Sequence, residues 1–92
     1  MSDCVFCKIV SGEIPSKKVL ENDTFVAFYD LNPVAKVHVL CIPKGHVDNI
    51  AAITDDNEQN VTGLLSFVRD VARELGIDKD GYRLILNTGE KA

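Results

Sequence analysis

Val37-His38-Val39-Leu40-Cys41-Ile42 is the stretch on which the fold turns. It reads as a strand that is apolar on both faces, so it should be central in its sheet and covered on each side. Pro43-Lys44-Gly45 ends it. Upstream, Lys18–Glu21 and Thr24–Tyr29 read as short strands joined at Asn22-Asp23, residues that tolerate the positive φ of a tight hairpin. Asp30-Leu31-Asn32-Pro33 follows as a turn, with Pro33 biasing Asn32 away from helix. Further back, Phe6–Val10 fits one to two helical turns, stopped by Ser11-Gly12 and then Ile14-Pro15.

Downstream the hydrophobic period changes. From Asn60 to Leu75, Val61, Leu64, Leu65, Val68, Val71, Ala72 and Leu75 fall on one helical stripe. Thr54 or Asp55 can cap the start, and Asp55, Asp56 and Glu58 complement the positive end of the helix dipole. Gly76 stands where a left-handed C-terminal residue belongs, with Ile77 able to fold back on the last turn. Gly81 precedes a last strand, Tyr82–Asn87, which must return to a sheet already started. The order is short helix, hairpin, strand, long helix, strand. That predicts an α+β fold with a mainly antiparallel sheet and one long helix packed on it.

The 92 residues are enough for one domain, residues 1–92, with one modest core. A hydrophobic content of 46% with 26% charged residues is that of a globular protein. The net charge of −4 argues against phosphate-tracking surfaces, so neither nucleic acid nor an anionic membrane is expected as a partner. A small anionic ligand needs only a few local donors and stays open. No signal peptide is expected, because Lys8, Ser11, Gly12 and Glu13 break the first apolar stretch. The longest apolar run, Val37–Pro43, is too short to span a bilayer. Three cysteines, one of them (Cys41) inside that run, argue against a disulfide framework and for a reducing cytoplasm.

Cys4 and Cys7 carry the first chemical signal. The C-x-x-C spacing puts both sulfurs on one side of a tight turn, about the bite of tetrahedral zinc. A pair of structural thiols and a redox couple are the alternatives. The redox reading is weak, because no strand can precede residue 4 in the βαβ context that such a couple uses. His46, in the polar loop after Gly45, is free to point at a metal. His38 is either a hydrogen-bonded core histidine or one that lines a pocket. Asp30, after the aromatic strand, is either a turn former or a carboxylate for a ribose diol, and Asn87 shares that ambiguity.

The segment Cys4–Val19, CVFCKIVSGEIPSKKV, closely resembles the start of the histidine triad family of nucleotide-binding proteins. FVAFYDLNP (Phe25–Pro33), VHVL with IPKGH (Val37–His46) and GYRLILNTGE (Gly81–Glu90) continue the likeness in family order. The resemblance covers essentially all residues from Asp3 to Glu90. It implies zinc held by Cys4, Cys7 and His46, and a purine pocket lined by Phe6, Ile9, Phe28 and Leu31. It also implies Asp30 at the ribose hydroxyls, His38 supporting the catalytic histidines, and Asn87 holding the site's geometry. A homodimer is implied as well, with the long helix and the Tyr82–Asn87 strand at its interface.

The family takes its name from a His-x-His-x-His strand shortly after the equivalent of Asn87–Glu90, and the sequence here ends at Lys91-Ala92. The middle histidine of that segment attacks the α-phosphorus, giving a nucleotidyl-histidine intermediate that water resolves. The first would be a fourth zinc ligand. The chain is therefore expected to be a C-terminally incomplete domain with its final strand missing. It would bind a purine nucleotide such as AMP but be inactive alone as a nucleoside phosphoramidase. The alternatives are a non-catalytic zinc-binding or dimerisation module and a small structural zinc domain of shared ancestry.

Overall fold

The computed structural model describes residues 4–30, 36–89 and 91. Among these, helix α1 (Val5–Ser11), strands β1 (Lys18–Glu21), β2 (Phe25–Tyr29) and β3 (Val39–Pro43), and helix α2 (Leu64–Leu75) form an α+β fold. The sheet is antiparallel in the order β1-β2-β3.

Alternation along β2 builds the layers. Phe25 and Ala27 face α2, where they pack with Phe67 and Val71. Val26 and Phe28 face the other way, onto Ile9 of α1. β3 repeats the pattern, with Val39 and Cys41 on the α2 side and Leu40 and Ile42 on the α1 side. Period-2 geometry on the strands and a buried stripe on each helix thus give helix, sheet and helix in three layers. The Phe25 and Phe67 rings, 5.4 Å apart and tilted by 34°, join sheet to α2.

β3 is covered on both faces as its sequence suggests, yet it is not central. It lies at the edge of the sheet and is half-buried throughout, and β2 is the central strand. Covering a face takes apolar side chains, whereas a central place takes a hydrogen-bonding neighbour on both edges. The neighbour expected from the C-terminus does not form. Tyr82–Asn87 belongs to no strand, and Tyr82, Leu84, Ile85 and Leu86 are each about half exposed.

The hairpin and the long helix also depart in detail. No non-glycine residue among those described has positive φ. Asn22 makes the β1–β2 turn with its side chain, its Oδ1 accepting from the N–H groups of Thr24 (2.8 Å) and Phe25 (2.7 Å). The helical run does not start at Asn60. Residues 50–62 form two 3₁₀ turns and tighter bends, and α2 begins only after Gly63, held in the left-handed region at φ 86°. Thr54 therefore caps a local turn, its Oγ1 accepting from the N–H of Asp56, and not the long helix. The buried face of α2 is Phe67, Val71 and Ala72, and Leu65 points to solvent instead of the core. Gly76 does close α2 in the left-handed region, and the N–H of Ile77 reaches the carbonyl of Ala72. No helix among the described residues is long and apolar enough to cross a membrane.

Candidate functional site

Two sides of α1 build two different surfaces. At its N-terminus, Cys4 is the N-cap, its sulfur accepting from the N–H of Cys7 at 3.4 Å. One turn on, the Cys7 sulfur lies 3.0 Å from Nδ1 of His46, which the loop after β3 brings across 39 residues of chain. The donor atoms of Cys4, Cys7 and His46 all lie within 4.8 Å of one another. Two thiols and an imidazole at that spacing suit one small tetrahedral ion of zinc type, so the residues present fit a metal.

Local electrostatics favour a thiolate at Cys4 and a more basic imidazole at His46. The Cys7 N–H, donating to the Cys4 sulfur, is the foremost contact that holds the Cys4 pKa below the ordinary thiol value. The hydrogen bond to Asp48 raises the His46 pKa, and the nearby Cys4 adds to it. The loop itself is tightly placed. A methyl group at Gly45 would meet Cγ of Asn60 at 2.5 Å, so any larger residue there would require the Asn60 side chain to shift. Cys41, by contrast, is a half-buried thiol in the sheet, and burial pushes its pKa up to about 11.

Along α1 the second surface appears. Ile9 and Phe28 are packed in one cluster, and the half-exposed Phe6 ring lies over Phe28 with 6.4 Å between centroids. Asp30 follows the end of β2, where its N–H donates to the carbonyl of His38 at 3.0 Å. The two side chains also approach, His38 Nε2 lying 3.5 Å from an Asp30 carboxylate oxygen. Leu31, the remaining residue expected at the pocket, and the turn it belongs to lie outside the described residues.

Asn87 lines the same large apolar cavity, of about 790 Å³, as Phe6, Cys7 and His46. His38 lines a neighbouring cavity between β3 and residues 81–85, and Cys41 borders both. The structure thus brings Cys4, Cys7 and His46 together, groups Phe6, Ile9 and Phe28 separately, and pairs Asp30 with His38. Two neighbours of the metal corner escaped the sequence reading. Asp48 sits two residues from His46 in a polar loop, a spacing that offered a weak signal. Asn60 contacts Gly45 across the fold, and nothing local in the sequence announces it.

The fold and this corner define an α+β domain with a Cys₂His cluster able to hold a metal. A family model described as "Scavenger mRNA decapping enzyme C-term binding" matches residues 3–92. An uncharacterized HIT-like protein of Helicobacter pylori is 47% identical over 88 residues, which is 96% of this chain and 82% of that protein. Protein HitA of Neisseria gonorrhoeae is 37% identical over 90 residues, covering 98% and 83%. A solved histidine triad protein from Clostridium difficile superposes with a TM-score of 0.90 at 45% identity, covering 99% of this chain and 79% of its own. A HIT family hydrolase from Clostridium thermocellum gives 0.88 at 44% identity, covering 97% and 77%. The chain belongs to the histidine triad (HIT) family.

Proposed function

We propose that this chain is a purine-nucleotide-binding HIT domain of the phosphoramidase branch, with a zinc-held N-terminal corner. The observation that carries the reading is the half-exposed Phe6 ring, backed by the buried Ile9 and Phe28, with Asp30 just beyond the end of β2. A purine would lie against the aromatic side, and the Asp30 carboxylate would accept hydrogen bonds from both ribose hydroxyls. Zinc at Cys4, Cys7 and His46 would act as a structural clamp between α1 and the loop after β3. A reducing compartment such as the cytoplasm suits cysteine thiols reserved for a metal.

The chemistry of the family needs a histidine nitrogen to attack the α-phosphorus as the bond to the leaving amine breaks. Water then cleaves the phosphorus–nitrogen bond to the enzyme. The 92-residue chain holds only His38 and His46. His46 is engaged by Cys7 and Asp48, and His38 lies against Asp30, the residue assigned to the ribose. We therefore assign the 92-residue chain nucleotide binding without hydrolysis. AMP is expected to raise the melting temperature of the wild type and not of Asp30→Asn, while no AMP is released from an adenosine phosphoramidate. An unchanged melting point in the wild type would overturn the binding assignment, and steady AMP release would overturn the other.

The second reading, a non-catalytic zinc-binding or dimerisation module, is favoured by apolar side chains on the surface. Leu65 of α2 is 68% exposed, and Ile85 and Leu86 are more than half exposed. A homodimer would cover them. Sedimentation velocity at micromolar concentration should then give a dimer, and a purely monomeric chain would remove this reading.

A further inference from the structure

The geometry points to Asp48 as a positioning residue for the metal corner: its carboxylate fixes the His46 ring so that an unprotonated Nδ1 faces Cys4 and Cys7. This rests on the metal reading above and adds a residue to it.

His46 touches two groups with its two ring nitrogens. Nε2 lies 2.5 Å from Oδ1 of Asp48, and Nδ1 lies 3.0 Å from the sulfur of Cys7. A neutral imidazole has one N–H donor and one lone-pair acceptor, while an ionised carboxylate only accepts. The proton therefore belongs on Nε2, where Asp48 can accept it, and the lone pair is left on Nδ1. That lone pair is the one a metal shared with the two sulfurs requires. Histidines that ligate metals commonly give their other N–H to a carboxylate, which sets both the tautomer and the ring orientation.

The loop is built to hold this arrangement. On one side the Asn60 side chain fills the space beside Gly45, its Cγ 2.5 Å from where a Cβ would stand. On the other, the Asn49 side chain accepts from the N–H of Ala52 at 3.2 Å and caps the 3₁₀ turn Ile50–Ala52. Asp48 lies between two anchored points, close enough to His46 for its short side chain to reach back. An ordinary surface ion pair would do none of this work for the metal. Asp48 is 72% exposed, so the effect of losing it should fall at the lower end of what such partners contribute.

The test uses the 92-residue wild type, Asp48→Ala and Asp48→Asn, with circular dichroism to confirm folding. Zinc affinity is read by competition with a chromophoric chelator. The His46 tautomer is read in the metal-free proteins by long-range ¹⁵N–¹H correlation. Wild type should show the Nε2–H form, and Asp48→Ala a mixture of tautomers with zinc bound about tenfold more weakly. Asp48→Asn can still accept from Nε2–H through its amide oxygen and should keep most of the affinity. Zinc bound stoichiometrically by wild type, and within twofold as tightly by Asp48→Ala, would overturn this inference alone. A wild type that takes up no zinc would overturn the metal reading and this inference with it. Were Asp48→Ala to unfold, the wild-type spectrum still decides, since an Nδ1–H tautomer there is incompatible with the proposed role.

Discussion

Phe25-Val26-Ala27-Phe28-Tyr29 and Tyr82-Arg83-Leu84-Ile85-Leu86-Asn87 are both short, apolar and bounded by turn residues, and they end in opposite states. In β2 the first four side chains are at most 3% exposed, with β1 and β3 hydrogen-bonded along its edges and a helix over each face. In the second segment Tyr82, Leu84, Ile85 and Leu86 are 45–58% exposed, and the segment joins no ladder among the described residues. The sequence pattern of a strand states what its faces prefer. It does not supply the neighbour whose N–H and C=O groups complete it. The open side of β3 and the unpaired 82–87 segment are two consequences of one unmet pairing.

The strongest way to break this comparison is to remove one large side chain from each side of it. Phe67, 3% exposed against Phe25, should cost about 3–5 kcal/mol when replaced by alanine, from lost burial plus the cavity left. A domain of this size has only about 5 kcal/mol or slightly more in reserve, so Phe67→Ala should be largely unfolded. Ile85→Ala should change stability by less than about 0.5 kcal/mol in dilute monomer, because Ile85 is already 58% exposed. Urea denaturation followed by circular dichroism measures both. Equal costs would mean that the 82–87 segment is packed as tightly as the sheet. A cost for Ile85→Ala that grows with protein concentration would place that segment in a self-association surface.

The same contrast governs what could be read from the sequence. Helix α1, the β1–β2 hairpin and the Gly76 stop were legible because each rests on local chemistry: periodicity, a turn residue, a left-handed glycine. So was the helix-sheet layering, since alternation along β2 and β3 already assigns their faces. The edge position of β3 was not legible, because whether a strand gains a second neighbour depends on a distant segment. The start of α2 was misplaced for a smaller reason. Leu64 and Leu65 both fit a stripe on paper, and only packing against the sheet shows Leu64 turned inward and Leu65 to solvent. The same limit applies to the site. The spacing of Cys4 and Cys7 offers a metal bite as one of three readings, and His46 joins them across 39 residues only through the tertiary fold. Asp48 and Asn60 matter only once that loop is in place.

The smallest expected effect on stability at neutral pH comes from comparing the thiols of the two regions. Cys4 at the helix N-cap is held below the ordinary thiol pKa by hydrogen bonds from Cys7, whereas burial in β3 raises Cys41 from 9.0 to about 11. At pH 8 in metal-free protein, Cys4 therefore has the larger thiolate fraction. The thiolate is the reacting species, so Cys4 should be alkylated first and Cys41 last, by roughly 100-fold for the two-unit rise in Cys41 alone. Zinc should protect Cys4 and Cys7 and leave the slow rate at Cys41 unchanged. The sign of the pH effect on folding follows from the same shift. A thiol whose pKa is raised on folding contributes fully below its unfolded value, and that contribution is lost as pH rises from about 9 through about 11. Stability of the wild type should thus decline across that window, and Cys41→Ala should flatten the decline while changing little at pH 7. Peptide mass mapping of timed iodoacetamide labelling gives the order directly. Alkylation of Cys41 as fast as Cys4 would show that the β3 edge opens readily, and that β2 and β3 do not form the rigid half of the molecule.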